Sequence, residues 1–87
     1  MLELDDADLE LLDLNELQVP VFRMTSGGLP DTQVSIGGVH YQYDSSYPIK
    51  GYAAILPRYL AEKLSAGKQT ILIERANPNR YYLYVSS

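Results

Sequence analysis

His40 is the chain's one histidine, the residue type most often used as a general acid or base. A histidine that moves a proton needs a second acid or base within hydrogen-bond reach. The nearest same-face carboxylate of the alternating run Val39–Asp44 is Asp44, about 13 Å along an extended strand. Gln42 is nearer but neither gives nor takes a proton. The acids beyond residue 17 are Asp31, Asp44, Glu62 and Glu74, one on each of four separate segments, so no spacing marks a carboxylate pair or a metal cluster. The acids before residue 17 lack the spacing and the glycine of a calcium loop. With no cysteine there is no disulfide framework, thiolate metal site or cysteine nucleophile. Ser26-Gly27-Gly28 and Ile36-Gly37-Gly38 do not lead directly into a helix, so they read as turns rather than phosphate loops. The chemistry-bearing residues therefore predict a noncatalytic protein with no metal and no cofactor.

Tyrosine is the unusual component: eight, with no tryptophan. Tyr82 and Tyr84 alternate with Tyr81, Leu83 and Val85, and Arg75 and Arg80 flank the turn between the last two strands. Three readings remain for Tyr82 and Tyr84. They are covered by the leucines of the N-terminal segment; they form a protein interface, to which tyrosine brings apolar area and a wet hydroxyl; or, with Arg75 and Arg80, they stack the bases of single-stranded nucleic acid. The third is the weakest by charge. Residues 1–17 hold seven of the eleven acids and none of the seven cations, so that segment is −7 and the rest +3 in a chain of net charge −4. The aromatic-glycine strings of common RNA-binding sheets are also absent.

The elements that carry these residues follow from periodicity. Leu56, Leu60 and Leu64 recur every fourth residue, Pro57 suits a first helical position, and Gly67 suits a left-handed stop, which predicts a helix over about 57–66 with residues 51–56 extended before it. Beyond Gly67 the period becomes two. Residues 70–75 and 81–85 read as a hairpin around Ala76-Asn77-Pro78-Asn79, its Ile71/Ile73 and Leu83/Val85 face on the helix. Thr32–Ile36 and Val39–Asp44 read as a second hairpin with Gly37-Gly38 at its tip, Val34, Ile36, Val39, Tyr41 and Tyr43 facing inward. Val19–Thr25 reads as a strand that Pro20 confines to an edge or to the strand's first residues, and residues 44–51 read as a loop.

The N-terminal segment is acidic and leucine-rich. Asp5 or Asp6 suits a helix cap, and Leu9, Leu12 and Glu16 would share one side of a short helix, but Leu11 and Leu14 fall outside that stripe. The segment is either packed on the sheet or orders on a partner. Its seven charges favour residues 1–8 mobile and Leu9–Leu17 docked.

Together these features predict a small single α+β domain: a largely antiparallel sheet of about five strands, in two hairpins, against one principal helix, with room for a short N-terminal helix. A half-open barrel with one helix is the alternative. The expected organisation is a partly mobile acidic segment at 1–17 and one domain at 18–87. No apolar run is long enough to span a bilayer and no signal-peptide pattern is present, which predicts a cytoplasmic protein without membrane contact. The expected function is a noncatalytic protein-protein interaction module, regulatory or accessory, with single-stranded nucleic-acid binding as the alternative. Its partner would be another protein or a second copy, held by Tyr82, Tyr84, Arg75, Arg80, Leu9 and Leu12.

Overall fold

The computed structural model describes residues 2–14, 17–24, 32–75 and 79–86. Among them are seven strands, β1 (Leu2–Leu4), β2 (Glu10–Leu14), β3 (Leu17–Met24), β4 (Gln33–Ile36), β5 (Val39–Pro48), β6 (Thr70–Arg75) and β7 (Arg80–Ser86), and one helix, α1 (Tyr52–Ser65). All seven strands join one sheet in the order β1-β4-β5-β7-β6-β3-β2. The expected α+β domain with about five antiparallel strands is thus corrected to a mostly β fold, a curled half-barrel with a single helix and a mixed sheet. Two ladders are parallel, β1 with β4 and β3 with β6, and both join segments far apart in sequence. Local alternation reveals hairpins but not such crossovers, which is why the sequence understated both strand count and mixing.

The N-terminal segment is the main addition. It forms no α-helix. Asp6–Asp8 makes one 3-10 turn, capped by the Asp5 carboxylate accepting from the Ala7 amide at 3.1 Å, and the flanking leucines extend into β1 and β2. Glu10–Leu14 runs as a strand, and β2 pairs with β3 in the register Leu12↔Val19 and Leu14↔Leu17.

Although adjacent in sequence, β1 and β2 are the two opposite edges of the sheet. Six inter-strand steps of about 4.8 Å would hold those edges about 29 Å apart in a flat sheet. From Leu4 to Glu10 the chain takes six steps and spans at most about 22 Å, less where the 3-10 turn contracts it. The sheet must curl. Curling divides the core in two. On the helix side, Leu56 and Leu60 pack with Val19, Val21, Leu72, Tyr81, Leu83 and Val85. On the other side none of the described helix side chains takes part, and the sheet covers itself: Leu4, Val34, Ile36 and Tyr41 meet Ile71, Ile73, Tyr82 and Tyr84, with Leu2, Leu9, Phe22 and Met24 against them.

The last hairpin is in a different register from the expected one. Leu72 lies opposite Leu83, and Ile71 and Ile73 lie opposite Tyr84 and Tyr82, so the isoleucines share a face with the tyrosines, away from α1. Thr70–Ile73 is buried on both faces, so alternation alone could not orient it. The glycine hairpin forms as its spacing predicts, with Gly37 and Gly38 both at positive φ between Ile36 and Val39. Its inward face is only partly as expected: Val34, Ile36 and Tyr41 are buried, while Val39 and Tyr43 stay open.

Helix α1 begins at Tyr52, five residues before the expected start, and Pro57 lies inside it. A proline there gives no amide to the preceding turn. Leu56 and Pro57 are buried, so packing outweighs that loss. The helix stops as Gly67 predicts: the Gly67 amide donates to the Leu64 carbonyl and the Lys68 amide to the Lys63 carbonyl, with Gly67 left-handed at φ 79°. β5 continues to Pro48 through what reads as a loop, bulging between Tyr43 and Ser45. β3 is not an edge strand. Pro20 is tolerated because pairing with β6 begins only at Val21.

Two measurements check this architecture. Leu83 is wholly enclosed, so Leu83→Ala should lower stability by about 2–5 kcal/mol, whereas Val39→Ala should stay within about 0.5 kcal/mol, both read from urea unfolding. Leu2–Leu4 pairs with β4, so its backbone NMR order parameters should match those of Gln33–Ile36. Values low throughout Leu2–Leu4 would contradict the edge pairing.

Candidate functional site

The six residues singled out by sequence are divided in the fold: Leu9, Tyr82 and Tyr84 meet in the core away from the helix, Leu12 packs in the helix-side core, and Arg75 and Arg80 lie opposite each other on the last two strands. Tyr82 and Tyr84 are 8% and 1% exposed, inside the core away from the helix, and present no open stacking surface. Of the tyrosines on that face only Tyr43 is substantially open, its ring edge-on to Tyr84 at 5.9 Å and tilted on Tyr82 at 6.3 Å. Arg80 is turned onto β5. Its Nη2 donates to the Ser46 hydroxyl at 3.0 Å and to the Ser46 carbonyl at 3.2 Å. Arg75 lies at the end of β6, opposite Arg80. Leu9 packs against the Tyr82/Tyr84 core and Leu12 against the helix-side core, so the two leucines serve opposite faces.

His40 is exposed on β5 opposite Ser35, and Asp44 meets Lys63 at 3.3 Å instead. Among the described residues, no group of three or more histidine or acidic side chains is placed to hold a metal, and no helix is long and apolar enough to cross a membrane.

The open feature is the outer edge of β2. Its inner edge is held by β3, and among the described residues no strand lies beyond it. Pro20 has no N–H to give to Leu11 opposite it, so the ladder's bonded pairs fall on Glu10–Val21, Leu12–Val19 and Leu14–Leu17. That parity turns the amides and carbonyls of Leu11 and Asp13 outward. Leu11 is 67% exposed, more than any other large apolar side chain described. Leu11 falls outside the helical stripe of the N-terminal segment, and that misfit is the sequence signal of a two-residue period.

The rim is acidic. Glu10 meets the Arg23 guanidinium at 2.8 Å, and the same guanidinium donates to Glu74 at 2.7 Å, so one cation spans β2, β3 and β6. Glu10 and Arg23 are both more than half exposed, which holds their pair to about 1 kcal/mol or less. Asp13 is exposed, and Asp5, Asp6 and Asp8 line the link from β1. Glu3, Leu4, Asp5, Asp6 and Gly37 border a shallow depression of about 410 Å³ there. Asp6 also acts inward: burial, and then the Asp6 charge, push the Tyr41 phenol above its ordinary value. The Tyr41 hydroxyl donates to Gln69 Oε1 at 3.0 Å.

No protein-family model matches this chain, and neither the curated proteins nor the solved structures include a match.

The Tyr41 shift has a definite sign. The fold favours the protonated phenol, so its contribution to stability is complete below the unfolded value of 10.0 and is lost as pH rises through the folded value. Unfolding midpoints should fall on that alkaline limb, and Tyr41→Phe should flatten the fall. An equally steep limb in the variant would show that other groups cause it.

Proposed function

We propose that this chain is a small noncatalytic protein-binding module, regulatory or accessory in role, and that it binds through the outer edge of β2. One observation carries the reading: an edge strand with outward backbone donors and acceptors bears Leu11, 67% exposed. Strand addition to such an edge gives affinity through main-chain hydrogen bonds and specificity through alternate side chains. Leu12 and Leu9 have supporting roles, Leu12 holding β2 on the helix-side core and Leu9 anchoring the link that leads into it. Nucleic-acid binding draws less support, because its two tyrosines are enclosed and the open edge carries carboxylates rather than cations.

A photo-reactive residue at position 11 of the full chain tests this in lysate of the source cells. Discrete protein adducts should form there and not from the same residue at position 40, on exposed β5. Leu11→Asp should eliminate capture by the otherwise unmodified chain. A position 11 that yields no discrete adduct overturns the proposal.

A further inference from the structure

The geometry points to a basic extended segment of another protein as the occupant of the β2 edge, one that reads cation–apolar–apolar–cation across Glu10, Leu11, Leu12 and Asp13. This deepens the reading of β2 as a binding edge and rests on it.

Side chains of adjacent strands meet in directly opposed pairs on the same face. On β2, Glu10 and Leu12 share the helix face, and Leu11 and Asp13 share the other, as their partners Val21, Val19, Pro20 and Gln18 on β3 require. Each face of β2 therefore offers one carboxylate and one leucine. A strand laid along the outer edge places successive side chains beside Glu10, Leu11, Leu12 and Asp13. The complement is a lysine or arginine, two apolar residues, and a second lysine or arginine. The pattern is the same from either end, so it fits a parallel or an antiparallel approach.

Charge also selects the class of partner. From residue 2 to residue 14 the chain carries Glu3, Asp5, Asp6, Asp8, Glu10 and Asp13 with no cation, and the one guanidinium nearby, on Arg23, is shared with Glu74. A second copy would bring an identical acidic edge against this one, and acidic strands would be repelled in the same way. Acids on an edge are a known guard against indiscriminate pairing. Here they exclude like edges and leave Leu11 open to a basic one.

Amide-shift titration of the isotopically labelled full chain tests the inference. The probes are capped peptides of about ten residues, with central sequences Lys-Val-Val-Lys, Val-Lys-Lys-Val and Glu-Val-Val-Glu. The first should move the amides of Glu10–Leu14 and slow hydrogen exchange at Leu11 and Asp13. It should bind about tenfold more tightly than the second, which has the same composition, a difference of about 1.4 kcal/mol. Asp13→Lys, at an exposed position, should remove that preference. Leu11→Pro should abolish binding with little change in melting temperature, because it deletes an outward amide rather than a ladder bond.

Equal affinity for the two lysine peptides would reduce the effect to net charge and overturn the inference. So would binding of Glu-Val-Val-Glu, binding of none of the three, or a homodimer in light scattering that Leu11→Pro dissolves. Position-11 adducts with a protein that lacks a basic strand would sink this partner while leaving the binding edge standing. An absence of adducts removes both.

Discussion

The connection from Leu4 to Glu10 is too short to join the edges of a flat seven-stranded sheet, and the rest of the structure depends on that constraint. Strands β1 and β2 are consecutive, yet they close opposite margins. The link reaches both only because the sheet bends until its margins approach. The bend then supplies what a single 14-residue helix could not, a second enclosed face. Val34 and Tyr41 from one half of the sheet and Ile71, Ile73 and Tyr84 from the other are covered there by the sheet's own strands. A chain of 87 residues has little apolar area to spare, and burying both faces of β6 and β7 is how this one obtains a core.

The same constraint explains the segregation of charge. The N-terminal segment supplies both margins and the link between them, so its acids end on the rim and its leucines turn inward at Leu2, Leu4 and Leu9. The six carboxylates of residues 2–14 would oppose burial of the whole segment, but alternation in β2 and the exposed 3-10 turn at Asp6–Asp8 let them remain wet while leucines of the same segment dock. Leu11 is the exception, apolar and outward on the last strand. An acidic edge with one open leucine repels a like edge laid against it.

Some of this was written plainly in the sequence. Gly37-Gly38 between alternating runs specifies a tight hairpin because only residues tolerant of positive φ fit both turn positions, and both adopt it. Gly67 ends α1 for the same reason, and Leu56 and Leu60 mark its buried stripe. The β-period of residues 70–75 and 80–86 and the concentration of acid before residue 17 are likewise local properties of the chain.

Tertiary structure decided everything that depends on which strand lies beside which. The run Thr70–Ile73 is buried throughout, so its orientation was set by cross-strand pairing with β7, and that pairing placed Tyr82 and Tyr84 in the core rather than on a surface. The start of α1 at Tyr52 overrode the preference of Pro57 because packing at Leu56 and Pro57 outweighs one missing amide bond. Whether Leu9–Leu14 would be helix or strand was undecidable from an imperfect stripe and was settled by Val19 and Val21 waiting on β3. Leu11 became the candidate contact only when β2 proved to be the last strand of the sheet. Periodicity reports how a segment folds against a surface, whereas exposure depends on whether anything lies on its other side, and no local pattern carries that.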